Sequence, residues 1–251
     1  MAETGKSPIV LQPGVTPMPM PEGVSGCPPG LEYLTQVDQL LIQQMIELIE
    51  IVTGIEMENK YIIKNTMGQQ VYFAAEQSDC YKRQCCGPAR PFSMSIMDNT
   101  QREVLHMERP LRCQGFCCPC SLQLMEVKGP DNSVLGFIKE KYTCLSPTWY
   151  VNDANDVTQL LITGPCWCGL CKCFNDVEFQ ILSADGTSPV GKIVSQWSGC
   201  VQECATSAGN FSVSFPMDMT VQLKALLLAS VFLIDYMYYE HSNNSGGAGA
   251  H

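Results

Sequence analysis

Two hydrophobic patterns divide the chain. From Lys60 to Phe215, short apolar runs with polar interruptions are separated by turn residues. Tyr61-Ile62-Ile63 and Val71-Tyr72-Phe73 flank Asn65 to Gly68, a hairpin signal. Phe92 to Met97 and Val104 to Met107 flank Asp98-Asn99, and Leu122 to Val127 and Val134 to Lys139 flank Gly129 to Asn132. Val157 to Ile162 follows, then Val177 to Leu182 and Val190 to Val194 about Asp185-Gly186, then Phe211 to Phe215. Strands at this spacing predict a sandwich or a closed barrel. The second pattern begins after Pro216. Ala225 to Ile234 is an unbroken apolar run rich in Leu and Ala, which predicts one helix over Val221 to Tyr239 with Asp218 or Thr220 as its N-cap.

That helix has two possible settings. A closed barrel removes its edges but must fill its interior, and a single apolar helix does so. Leu223, Ala225, Leu228, Phe232, Asp235 and Tyr239 are then core positions. In the other setting the same residues lie in a membrane. A span needs roughly 20 apolar residues. Here the uninterrupted run is ten residues, with Lys224 before it and Asp235 after it. Extension through Tyr239 gives nearly the right length and an aromatic end suited to headgroups. An Asp near the centre of a lone span costs about 2.5–3.5 kcal/mol, so Asp235 should be paired or reach a helix end.

The flanks are simpler. Residues 1–30 form an arm with seven prolines, too polar to fold alone and without the P-x-x-P spacing that an SH3 partner needs. Over residues 31–54, Val37, Leu40, Leu41, Met45, Leu48, Ile49 and Val52 follow helical spacing, although Leu41 to Ile46 also suits a strand. Residues 31–241 make one domain, and residues 242–251, with SNNSGGAG, a flexible tail.

Formal net charge is −10, which disfavours general nucleic-acid binding. Lys82, Arg83, Arg90, Arg102, Arg109 and Arg112 nonetheless give a local cationic excess, which could face anionic lipid or water. The first residues show no charged-then-apolar signal pattern, and the second residue is Ala, so neither secretion nor myristoylation is expected. The fifteen cysteines should then be reduced thiols, free for metal binding or acylation.

The cysteines cluster. Cys80, Cys85 and Cys86 form one group. Cys166, Cys168, Cys171 and Cys173 form another, with Cys168 and Cys171 at a Cys-x-x-Cys spacing that suits tetrahedral zinc. A surface loop of reduced thiols is the alternative. Cys113, Cys117, Cys118 and Cys120 lie beside Phe116, Leu122, Arg109 and Arg112, a setting that suits S-acylation. Only three histidines are present, and no Ser/His/Asp or Cys/His constellation is evident, so covalent catalysis is not expected.

Several blocks together, PPGLEYL, KNTMGQQVYFAAE, CCGPARPF, ERPLRC…CCPC, GKI…W, NF…FPMD and KALLLASVFLIDYMYYE, resemble the phospholipid scramblases. The resemblance covers residues 28 to about 241. It implies a tubby-like fold, a closed antiparallel barrel of about twelve strands around the C-terminal helix. It implies ATP-independent, bidirectional, calcium-linked movement of membrane phospholipids. It further implies palmitoylation at Cys117, Cys118, Cys120 and Cys113, and plasma-membrane attachment with the bulk of the chain cytoplasmic. One helix with one Asp cannot line a polar path for headgroups, so a scrambling monomer would need partners, a homo-oligomer among them. A lipid-tethered binding or scaffold module, with the helix inside the barrel, is the alternative.

Departures from the family pattern qualify this. The palmitoylated cysteine run is reduced to FCCPCS. Gly191 to Cys200 keeps only Lys192 as a cation, so nuclear import is not expected. The family's calcium loop corresponds to residues 207–218, with Ser207, Asn210 and Asp218 as oxygen donors but Asp218 as the only acid. Calcium takes about 6–8 oxygens and its affinity follows ligand charge, so binding should be weak. Phe211, Val213 and Phe215 alternate as a strand would.

Overall fold

A computed structural model describes residues 16–21, 26–45, 58–77, 91–112, 121–166, 170, 175–196 and 210–239. A short 3-10 helix, Glu32–Gln36, precedes twelve strands: β1 (Gln39–Met45), β2 (Lys60–Lys64), β3 (Gln70–Gln77), β4 (Phe92–Asp98), β5 (Glu103–Arg109), β6 (Leu124–Lys128), β7 (Val134–Lys141), β8 (Thr148–Asp153), β9 (Thr158–Thr163), β10 (Val177–Ser183), β11 (Pro189–Gln196) and β12 (Asn210–Ser214). The helix α1 (Val221–Tyr238) follows. Each strand pairs antiparallel with the next, and β1 closes the barrel on β12 with Leu40 opposite Val213. Closure leaves no unpaired edge among these strands.

One end of the barrel is built from tight turns. In each of five hairpins the backbone N–H of the fourth turn residue donates to the carbonyl of the first: Gly68 to Asn65, Gln101 to Asp98, Asn132 to Gly129, Asp156 to Asp153 and Gly186 to Ser183. The fourth residue has positive φ in all five, the left-handed bulge that lets a short turn follow strand twist. Side chains reinforce them. Asp98 Oδ1 accepts from the Thr100 and Arg102 N–H groups at 2.8 and 3.0 Å. Burial pushes the Asp98 carboxyl up, but these bonds and the Arg102 guanidinium outweigh it and hold it below the usual carboxylate range.

The core follows from alternation. Leu40 and Ile42, Tyr61 and Ile63, Met94 and Ile96, Trp149 and Val151, Phe179 and Ile181, and Phe211 and Val213 are all buried, two residues apart on their strands. They meet α1, which is buried without a break from Lys224 to Tyr236. A helix apolar on every side belongs in a core. Gly136 on β7 lets it sit close: a Cβ there would fall 2.9 Å from Leu226 and 2.2 Å from the Asn152 carbonyl. The 3-10 helix stoppers the turn end with Leu31, Tyr33 and Leu34. Gly30, with φ +88°, is needed there, since a Cβ would strike Val104 at 2.1 Å.

The helical spacing read over residues 31–54 is corrected: Gln39–Met45 is strand β1, and residues 46–57 lie outside the described residues. Leu40 and Ile42 point inward while Leu41 is half-buried, so period two governs the segment. Strand β8 was not predicted by the turn signals. Within the proline-rich arm, Met18 N–H donates to Gln70 O at 2.8 Å and Gln70 N–H to Thr16 O at 3.0 Å, so residues 16–18 lie along the start of β3.

The opposite end carries the long connections and the C-terminus of α1. No described strand or helix contains a cysteine. Of the described cysteines, Cys27 precedes the 3-10 helix, and Cys144 and Cys166 lie on the β7–β8 and β9–β10 connections at this far end.

Candidate functional site

The helix is held at both ends by polar groups. At its start, Thr220 Oγ1 accepts from the Leu223 N–H. One turn in, Lys224 is fully buried, and its Nζ donates to the carbonyls of Val37, Met217 and Leu34 at 2.8, 2.9 and 3.0 Å. Burial lowers the Lys224 ammonium from its ordinary range, partly offset by Asp38 and Asp218. A cation near a helix N-terminus opposes the macrodipole, so the three carbonyls are what make the position tenable.

At the far end, Asp235 accepts from Tyr61 Oη at 2.7 Å. Asp235 is thus paired, as the sequence requires, and this phenol donor lies 174 residues away in sequence. Tyr236 Oη donates to Glu76 Oε2 at 2.8 Å and accepts from Asn59 Nδ2 at 3.0 Å. Gln44 Nε2 donates to Asn59 Oδ1 at 2.8 Å, joining β1 to this network. Tyr236 also stacks on Phe92, centroids 4.0 Å apart, and the Arg109 guanidinium lies over Phe92. Arg109 Nε and Nη2 donate to Gln123 Oε1 at 3.0 and 2.8 Å, and the Gln123 N–H donates to Glu140. Burial raises the Glu140 carboxyl against that N–H and the Arg109 charge.

Burial also pushes up the phenols of Tyr72, Tyr238 and Tyr239. In the unfolded chain a phenol ionises near its ordinary value of 10.0, while these stay protonated when folded. The unfolded state then binds fewer protons, so stability falls as pH climbs past 10.0. Lys224, with its depressed ammonium, acts in the opposite sense, one group against these three. The thermal midpoint is therefore expected to drop between about pH 9 and pH 11. A midpoint that holds or rises over that range would show these phenols to be solvated.

Above Arg109 the far rim opens into a groove of about 780 Å³, lined in part by Glu58, Phe92, Glu108, Arg109, Glu126 and Phe137. Ser93, Glu108, Glu126 and Phe137 are successive cross-strand partners on β4 to β7. Lys128 Nζ bridges Glu108 at 2.7 Å and Glu126 at 3.3 Å. Nothing in the sequence pattern marks this row, because register alone brings it together.

The sequence-predicted residues are scattered by comparison. Ala225, Leu228 and Phe232 are buried in the barrel, Leu223 and Tyr239 lie at its two mouths, and Asp235 sits inside the far one. Asn210 begins β12 and the exposed Asp218 lies beyond its other end, about 13 Å of strand apart, so they do not converge on one ion. Ser207 lies outside the described residues, as do Cys113, Cys117, Cys118, Cys120, Cys168, Cys171 and Cys173. Cys166 is exposed at the far end. Among the described residues no group of three or more His, Cys, Asp or Glu is placed to hold a metal.

A family model described as Scramblase matches residues 18–241, the whole barrel and its helix. The chain belongs to the scramblase family. Among its relatives, phospholipid scramblase 1 of Mus musculus is 47% identical over 92% of this chain and 70% of that protein. Phospholipid scramblase 2 of Bos taurus is 46% identical over 93% of this chain and 80% of that protein. Phospholipid scramblase 4 of Homo sapiens is 35% identical over 95% and 75%. No solved structure matches the chain. For this scramblase-family chain, α1 is long and apolar enough to cross a membrane, yet 72% of it is buried in the barrel.

Proposed function

We propose that this chain is a phospholipid scramblase, a lipid translocator that moves membrane phospholipids in both directions without ATP. The family match over the whole folded chain carries this reading. Gly186 to Lys192 has the glycine and lysine spacing of a nucleotide-binding loop, but it is a β-hairpin between β10 and β11, and Ile193 takes the place of the hydroxyl residue. That context supports a mechanism without nucleotide. A lipid headgroup needs a polar path, which one helix does not line, so several copies act together. Calcium acts weakly, since Asp218 is the one acid of its loop and stands apart from Asn210.

Reconstitution into liposomes with labelled phospholipid tests this. Exchange between leaflets without ATP should exceed protein-free vesicles, rise more steeply than protein density, and respond to calcium only at about 10⁻⁴–10⁻³ M. Lack of movement, with the protein incorporated and calcium present, would leave the second reading, a lipid-tethered binding module. The burial of α1, with Lys224 and Asp235 both hydrogen-bonded inside, favours that alternative.

Attachment to the membrane, plasma membrane included, is assigned to palmitate on Cys113, Cys117, Cys118 and Cys120. The connection carrying them leaves the far end between Arg109 and Leu124. One acyl chain gives only marginal binding, so several must act jointly. Replacing Cys117, Cys118 and Cys120 with Ser should move much of the protein to the soluble fraction. A triple variant that stays wholly membrane-bound would overturn the assignment. A zinc site at Cys166, Cys168, Cys171 and Cys173 is open to direct metal analysis of protein purified under reducing conditions.

A further inference from the structure

We propose that the rim groove over β4 to β7 binds the ammonium end of a zwitterionic phospholipid headgroup, choline or ethanolamine. The inference rests on the scramblase reading, because it takes the far end as the end that meets lipid.

Three observations converge. The first is size: about 780 Å³ is ample for a headgroup with its glycerol. The second is charge. Among the described lining residues, Glu58, Glu108 and Glu126 stand against one cation, Arg109. Arg109 is buried, and its Nε and Nη2 already donate to Gln123, with Glu140 close enough to feel its charge. The described lining residues therefore carry more negative than positive charge, and like charges on adjacent strands, Glu108 and Glu126, are unfavourable unless a cation joins them. Lys128 does this from one side. Phe137, next in the row, adds an aromatic ring that already takes an ammonium, Lys139 Nζ lying 5.5 Å from its centroid, and a quaternary ammonium is well held by carboxylates beside such a ring.

The third observation is place. The groove's walls are the end of β5 and the start of β6, the strands that flank the Cys113–Cys120 connection. Pro110, which lines the groove, stands three residues before Cys113, and Leu124, which also lines it, four after Cys120. Acyl chains on those cysteines would hold this rim, rather than the turn end, against the bilayer. The same arrangement disfavours a serine headgroup, whose extra carboxylate would face the glutamates.

The test uses soluble headgroups and the full chain, so it does not depend on transport. Saturation-transfer NMR on the N-methyl protons of glycerophosphocholine, with titration, should show saturable millimolar binding. Glycerophosphoserine should bind at least several-fold more weakly. Glu108→Gln with Glu126→Gln should weaken glycerophosphocholine roughly tenfold. Lys128→Gln, which removes the ammonium from both carboxylates and leaves His106 Nε2 at 3.5 Å from Glu108, should strengthen it by roughly threefold. These side chains are on the outer face, at 47%, 30% and 18% exposure, so an unchanged thermal unfolding profile can confirm that the variants fold. Absence of saturable binding, indifference to the glutamate changes, or equal binding of glycerophosphoserine would each overturn the site. Binding without lipid movement in liposomes would instead remove the scramblase reading and leave the groove standing.

Discussion

Phe232→Ala should destabilise the fold by about 3–5 kcal/mol, a large part of the roughly 5–15 kcal/mol that holds a domain together. Phe232 has no exposed surface and meets Tyr61 edge-on at 5.0 Å. It lies on the inner helix of a closed barrel, where twelve paired strands have little freedom to collapse inward. Tyr61 is also the donor to Asp235, so loosening it weakens the far-end network as well. Urea unfolding of the purified protein gives the number. If α1 lay in lipid in the native protein, the same truncation would leave no cavity, since acyl chains fill the space. A cost below about 1 kcal/mol would therefore count against the helix as barrel core.

Lys224→Ala is expected to cost about 2–4 kcal/mol. The change removes an ammonium whose desolvation is itself unfavourable, and that gain limits the loss. Three carbonyls, of Leu34, Val37 and Met217, lose their common donor inside the protein, and the helix start loses its tie to the 3-10 helix and to the residue that ends it. Methionine at this position keeps the volume and isolates the hydrogen bonds, so Lys224→Met should recover only the packing share. Should Lys224→Met be as stable as the unaltered chain, the clamp would contribute nothing.

Lys224 also shows what the sequence left hidden. There it reads as the charge that shortens an apolar run; in the fold it is the pin that fastens the helix. No spacing rule pairs residue 224 with carbonyls 187 and 190 positions away. The strands were legible where turn residues bracket them, because each tight hairpin needs a left-handed residue and an Asx-type side chain at set positions. Strand β1 was misread because Leu40, Leu41, Met45, Leu48 and Ile49 fit a helix stripe as well as a strand, and only closure against β12 decides between them. Strand β8 carries its inward face on only two large apolar residues, Trp149 and Val151, between polar neighbours, so no turn signal marked it. The choice between a barrel filler and a membrane helix was open from composition, and the fold places the helix in the barrel, with Asp235 bonded to Tyr61. The groove was illegible because Glu108, Glu126 and Phe137 meet only through strand register.

Amide hydrogen exchange over α1 and its neighbours β1 and β12, on protein bound to phospholipid vesicles, bears most directly on whether the helix remains the barrel's core at the membrane. With the helix in place, amides of Leu40, Ile42, Phe211 and Val213 should exchange together with those of α1, through one cooperative opening, in solution and on vesicles alike. The contrary result is a vesicle-bound state in which α1 stays protected while β1 and β12 lose protection, since a barrel emptied of its helix has no core to hold those strands.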